Sequence, residues 1–494
     1  MLMESEGQKQ TDQGTTESKE AGASLSRRDF LRLAGVAGAT VGLGAGLGGL
    51  VAACGGSTTT TTTTAGPTTT AAQSTTTTAA SSTTVTSAAA TGREVKVGLV
   101  IPLTGIYALF GVADKWGLGL ISKYIGDNMV LGDGQSHKVT WESVDTQSDV
   151  NRASQVTSDL ILNSKVDLLA VGGGPDTVDP SADMAETLGA PFISCNNLWE
   201  AFIFGRKATP ATEFKWTFGS LLGVDQCVQA SLQVVNKIST NKVAGLYEAN
   251  DVDGQAWLTA GEGYPDVFKK AGYKVVFPGP YNPGTEDYTS LISAYKSAGC
   301  EAHLGGNPGI DFPNFWKQAL QQSYHPKVAI EIVAISTYED MKALGPIVVG
   351  LTLGYTWHKD WPFTDPISGM TNAQLADDYE ASQNTMWSNM ITGYARFGWA
   401  VDVLKRTQNI DDKNSIVTAI KGSKLDLITG PIDFTAPVDI TGLHVTANVC
   451  KQVLCLGQVV KSTGGKWLYD APLVAAIDAP SSVTTIAPVP IVYS

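Results

Sequence analysis

The chain has 494 residues, 34 Lys and Arg against 47 Asp and Glu, and a net charge of −13. That length exceeds one ordinary core, since domains run to roughly 100 to 200 residues. The surplus of acid, with no basic stripe, excludes nucleic acid as a partner, because duplex binding depends on clustered Lys and Arg that release counterions.

The front end reads as an export signal. Ser26-Arg27-Arg28-Asp29-Phe30-Leu31 precedes an uncharged stretch, 33–53, in which seven of 21 residues are Gly. Glycine weakens a helix by about 1 kcal/mol each relative to Ala, so this stretch suits a signal h-region better than a permanent span. Arg27 and Arg28 resemble the twin-arginine motif, and Leu50-Val51-Ala52-Ala53-Cys54-Gly55 resembles a lipobox whose Cys54 is lipidated after cleavage. Residues 1–53 are thus expected to be a twin-arginine lipoprotein signal peptide. The segment 54–92 is the tether, since 57–91 holds 18 Thr in 35 positions and no charge, and so cannot bury a core. Within the signal, Gly44-Ala45-Gly46-Leu47-Gly48-Gly49 matches G-x-G-x-x-G by chance, because no strand precedes it.

From Glu94 the chain alternates. Strands are predicted at 95–101, 138–144, 166–171, 191–194, 242–246, 274–277, 302–304 and 328–334, and helices at 154–162, 180–188, 289–297 and 312–321. Helices at 374–387 and 391–406 follow, and the end is richer in strand, at 432–434, 444–460 and 466–469. Such alternation predicts an α/β fold with mostly parallel sheets and a ligand site beyond the carboxyl ends of the strands.

The opening Lys96-Val97-Gly98-Leu99-Val100-Ile101-Pro102-Leu103-Thr104-Gly105, with Gly111 closing its loop, resembles the leucine/isoleucine/valine-binding family of solute receptors for ABC importers. Val171-Gly172-Gly173-Gly174, Ala190-Pro191-Phe192-Ile193-Ser194, Ala271-Gly272-Tyr273 and Gly393-Tyr394-Ala395 follow in the family's order. The resemblance implies two Rossmann-like lobes joined by a three-strand hinge, with lobe one at 94–217 and 350–435 and lobe two at 218–349 and 436–494. It implies an extracytoplasmic, lipid-anchored protein that closes on a small molecule and delivers it to permease subunits. No enzyme activity and no cofactor is expected. The alternative functions are a solute sensor for a membrane receptor and an exported hydrolase, although no G-x-S-x-G, H-E-x-x-H or phosphate loop is present in the body.

By the same resemblance Phe110 covers the ligand. Gly174, Asp176 and Thr177 stand on the turn that holds a carboxylate, where Pro175 removes an amide and Asp176 adds a negative charge. Asn196, Asn197 and Trp199 form the third loop. In lobe two Asp253 and Asn307 stand where aromatics are common, and Glu331 is the acid nearest the ammonium position. Both ends of a generic amino-acid clamp are altered, which leaves an amino acid, an amide or an aromatic or apolar carboxylate as solute. Trp199, Tyr355, Trp357 and Trp361 have two readings, ring contacts to a planar solute or packed cleft wall. Asp251 and Asp253 resemble a partial calcium loop, but Ala249 and Ala260 fill ligand positions. The five His have no metal spacing. Cys195, Cys227, Cys300, Cys450 and Cys455 leave pairing open; Cys450 with Cys455 is one option, although their odd spacing on a single strand would point them apart.

Overall fold

The computed structural model describes residues 89–493 apart from 210, 307–310, 436–437, 441–442 and 446–447. Arg27, Arg28, Cys54 and Asn307 therefore lie outside the described residues. Among the described residues no helix is long and apolar enough to cross a membrane.

Eleven strands run in order through the first part of the body: β1 (Val95–Ile101), β2 (Asn128–Val130), β3 (Ser136–Asp145), β4 (Leu168–Val171), β5 (Phe192–Ser194), β6 (Thr217–Leu221), β7 (Val243–Tyr247), β8 (Lys274–Val276), β9 (Ala302–Gly305), β10 (Val328–Glu331) and β11 (Thr352–Tyr355). Three short hairpins, β12 (Lys424–Leu427) with β13 (Gly430–Asp433), β14 (Val438–Ile440) with β15 (Leu443–Val445), and β18 (Val460–Lys461) with β19 (Tyr469–Asp470), stand apart from the sheets. The remaining strands are β16 (Val449–Lys451), β17 (Leu454–Gln458) and β20 (Leu473–Ile477).

Two seven-stranded sheets result, in the orders β16-β6-β5-β4-β1-β3-β2 and β20-β17-β11-β10-β9-β7-β8. The first is parallel except at β2, and the second is parallel except where β17 pairs with β11 and β20. Central strands read as continuous apolar runs because helices cover both faces: β1, β4 and β5 are almost wholly buried. The chain crosses between sheets three times, after β6, after β11 and between β16 and β17, as a two-lobed fold with a three-strand hinge requires. Strand β11 lies in the second sheet and β16 in the first, so the second crossing follows Tyr355, close to the position 350 read from the resemblance, and the third lies between Lys451 and Leu454, well beyond 436.

Helix boundaries shift from the predicted ones for local reasons. The first predicted helix begins earlier, at Val150, because the Asp149 carboxylate accepts the Arg152 N–H as an N-cap. The next begins at Pro175 instead of residue 180, since Pro is favourable in the first turn, and Pro180 is carried inside it. The predicted 391–406 helix is a 3₁₀ turn, Asn389–Tyr394, that passes directly into Ala395–Arg406. The five described cysteines are free and buried, with Cys450 on β16 and Cys455 on β17 in different sheets.

Candidate functional site

The carboxyl ends of both sheets open onto one cleft, which measures about 620 Å³ counted out to its open mouth. That size suits a compact solute. From the first lobe come Phe110, on the 3₁₀ turn after β1, then Gly173-Gly174-Pro175 after β4 and Cys195-Asn196-Asn197-Leu198 after β5. The second lobe supplies Asp253 and Trp257 after β7 and Ile332 and Val333 after β10. The crossings themselves contribute Leu222, Thr356 and Gln452, so whatever fills the cleft touches all three hinge segments.

The sequence places glycines where the backbone must accept a neighbour. A Cβ on Gly172 would meet the Arg396 guanidinium, and Gly173 has a φ of +131°, a conformation that side chains rarely adopt. Arg396 is fully buried in the helix Ala395–Arg406, ion-paired to Asp114 of the helix Asp114–Ile125, and donates from Nη1 to Asn196 Oδ1 at 3.2 Å. This braces the floor of the cleft. Burial still pushes the Asp114 carboxyl up to about 6, against the pull of Arg396.

Of the residues singled out from the sequence, Phe110, Gly174, Asn196, Asn197 and Asp253 line the cleft. Asn197 has its amide engaged by the protein, since Nδ2 donates to Asp179 Oδ1 at 2.7 Å and Oδ1 accepts from the Leu198 N–H. Asn196 lines the cleft with its Oδ1 held by Arg396. Asp176 lies at the lobe boundary and accepts the Tyr107 hydroxyl at 2.6 Å. Thr177 is buried, its hydroxyl donating to the Gly174 carbonyl at 3.2 Å. Trp199 lies beneath the loop and donates from Nε1 to Asp225 Oδ1 at 3.3 Å, while Lys451 holds the other oxygen at 2.5 Å. Glu331 is consumed by His303, with Oε1 at 2.9 Å from Nε2. Burial drives the His303 pKa down to about 3 and pushes the Glu331 carboxyl well up. Trp357 packs edge-on against Trp387 at 5.7 Å, Tyr355 against the same ring at 5.8 Å, and Trp361 against Phe363 at 6.0 Å. None of Trp199, Glu331, Trp357, Tyr355 and Trp361 borders the cleft.

Sequence reasoning missed Trp257, Asn389, Met390, Thr392 and Gln452 at the site, and Arg396 behind it. Asn389 positions the second crossing, with Oδ1 accepting the Thr356 and Trp357 N–H groups at 2.9 and 3.2 Å. Only Arg396 had a legible signal, a charge inside the otherwise uncharged run Gly393 to Val401. Among the described residues no cluster of His, Cys, Asp and Glu is arranged to hold a metal.

Comparison with known proteins agrees with this geometry. A family model described as periplasmic binding protein matches residues 94–445. The leucine-binding protein LivK of Thermotoga maritima is 16% identical, with 78% of this chain and 98% of that chain covered at a TM-score of 0.61. A solute-binding protein of an ABC transporter from Rhodopseudomonas palustris, solved with 3,4-dihydroxybenzoic acid, is 20% identical with coverages of 79% and 98% and a TM-score of 0.62. LivJ of Streptococcus pneumoniae, solved with isoleucine, is 16% identical with coverages of 77% and 99% and a TM-score of 0.60. At these identities the likeness is one of fold, and the family match carries the assignment: the chain belongs to the periplasmic binding protein family, with the type I arrangement of two lobes.

Proposed function

We propose that this solute-binding protein captures a small molecule by lobe closure and delivers it to the permease subunits of an ABC importer of the branched-chain amino acid type. In this reading twin-arginine export through Arg27 and Arg28 and lipidation of Cys54 fix it to the outer face of the cell membrane, with the Thr-rich segment as tether. The observation that carries the reading is the cleft itself, walled by both lobes and by all three crossings. A solute touching both walls binds the closed form better than the open one, and only that difference moves the population. Going from 1:99 to 99:1 takes about 5.5 kcal/mol, less than the roughly 8 kcal/mol of a micromolar ligand.

The solute classes are an amino acid, an amide, or an aromatic or apolar carboxylate. Phe110, Trp257, Ile332 and Met390 give an apolar wall, while Asn196, Thr356, Asn389 and Asp253 give polar groups. Neighbours of this fold solved with isoleucine and with 3,4-dihydroxybenzoic acid bracket the same range. The test is a panel of amino acids, short amides, aromatic acids, amines and polyols in thermal melts. A true ligand at one hundred times its Kd adds about 2.7 kcal/mol and raises Tm by several degrees. A flat response across the panel contradicts the receptor reading.

A further inference from the structure

Three side-chain amides line the cleft with one end each fixed by the protein: Asn196, 6% exposed, Asn389, 7%, and Gln452, 3%. Asn196 Oδ1 accepts from Arg396 Nη1 at 3.2 Å, and Asn389 Oδ1 accepts the Thr356 and Trp357 N–H groups at 2.9 and 3.2 Å. Gln452 is held the other way round, its Nε2 donating to the Cys195 carbonyl at 3.0 Å. A guanidinium and a peptide N–H only donate and a carbonyl only accepts, so turning any of the three amides over would set like against like. The locks leave over the NH₂ of Asn196, the NH₂ of Asn389 and the Oε1 of Gln452, none of which is among the unpaired polar atoms sealed inside the packed interior. On side chains this buried, the cleft they line is where such groups find partners. The three are neighbours: Gln452 bonds to the residue before Asn196, and the 3₁₀ turn that begins at Asn389 passes Asn196 at Gly393, where an added Cβ would lie 3.6 Å from Asn196 Oδ1. The wall around them is neutral. Among the described residues lining it there is no Lys, Arg or His, and burial pushes the Cys195 thiol up to about 12 and the Asp253 carboxyl well above its ordinary range.

From this we infer that the captured solute is an uncharged primary carboxamide or urea with an apolar remainder, its carbonyl oxygen accepting from Asn196 and Asn389 and its N–H donating to Gln452. The inference rests on the receptor reading and narrows its solute class. A primary amide carries an oxygen acceptor and N–H donors side by side, the complement of two fixed donors and one fixed acceptor. Buried amide ends are costly when unpaired, and a solute that supplies both kinds of partner removes that cost at all three. A carboxylate supplies only acceptors, leaves Gln452 Oε1 without a donor, and brings a charge to a wall with no counter-ion. Pro175 has no N–H to offer it at the helix start, and Asp176 already places an acid in that first turn. An ammonium supplies only donors and leaves both NH₂ groups unmet. Phe110, Trp257 and Ile332 provide the apolar wall for the remainder. Arg396 is a positioning residue here, because it does not border the cleft but fixes which end of Asn196 is free.

The test uses the full chain and matched probes: benzamide, butyramide and phenylurea as amides, acetophenone as a carbonyl without N–H, benzoate and butyrate as anions, and benzylamine as a cation. Thermal melts and calorimetry are expected to show stabilisation by at least one amide, bound about tenfold or more tighter than acetophenone, the anions or the amine. Asn196→Asp and Asn389→Asp each keep an oxygen for the protein's own donors and exchange the free NH₂ for a second oxygen. Each should weaken the amide about tenfold or more and raise the affinity of benzylamine relative to benzamide, a change of preference that loss of packing would not produce. Stabilisation by acetophenone, the anions or the amine without the amides overturns the amide assignment and leaves the receptor reading standing. Unchanged amide affinity in both variants, or no response to any amide or urea, also overturns it, whereas only silence across the whole solute panel removes the receptor reading.

Discussion

Asp179 shows how one buried carboxyl links the site to pH. It sits in the helix Pro175–Leu188, where Oδ1 accepts from Asn197 and Oδ2 has no partner among the described residues. Burial pushes its pKa from 3.8 up to about 7, more than the Asn197 bond lowers it. The folded protein therefore holds this proton more tightly than the unfolded chain, so the stabilisation is complete below about pH 4 and disappears as pH rises through about 7. Three pKa units correspond to about 4 kcal/mol. Asp179→Asn should flatten the fall in unfolding free energy over that window and leave the variant about 1 to 4 kcal/mol more stable than the parent at pH 8, read by urea titration. An unchanged slope contradicts it. At this scale the sequence showed which loops line the cleft, because Phe110, Gly174, Asn196, Asn197 and Asp253 all follow strand ends. It did not show what Trp199, Thr177, Glu331 and Trp357 do, since their partners Asp225, Gly174, His303 and Trp387 meet them only through tertiary packing.

Elements are tied together behind the cleft by Arg396, which joins the helices Ala395–Arg406 and Asp114–Ile125 and the loop after β5 through Asp114 and Asn196. Removing one partner of a buried pair leaves the other charge without compensation and costs about 3 to 5 kcal/mol. Arg396→Leu should lower unfolding free energy by that amount, and Arg396→Leu combined with Asp114→Leu should recover much of the loss. A single variant as stable as the parent would mean that the pair does not brace these helices. The helices themselves were legible from their apolar spacing, as in Phe312–Gln321, found where predicted. Their ends were less so. Asp149 and Pro175 start helices earlier than periodicity places them, because capping chemistry and not the apolar stripe sets the first turn. The predicted 444–460 strand breaks into β16 and β17, with Gln452 turning the chain toward Cys195 between them.

For the whole molecule, alternation of strand and helix was enough to predict covered, mostly parallel sheets, because parallel pairing requires a crossover that buries both faces, while their division into two lobes came from the family resemblance. Which strand joins which sheet was not, since β11 and β16 each lie a few residues from a crossing and are too short to carry a distinctive pattern. The consequence is mechanical. Leu222, Thr356 and Gln452 border the cleft on the three crossings, so solute contact and hinge angle are coupled directly. Ile106 of the first lobe and Pro283 of the second both line the neighbouring opening, and both are exposed. The described cysteines are all buried, so spin labels on Ile106→Cys and Pro283→Cys, with Cys54 replaced by Ser, report closure without interference. The distance distribution between those labels is expected to be broad without solute and to collapse to its short end when a solute that raises Tm is added. A distribution unchanged by such a solute would contradict capture by lobe closure.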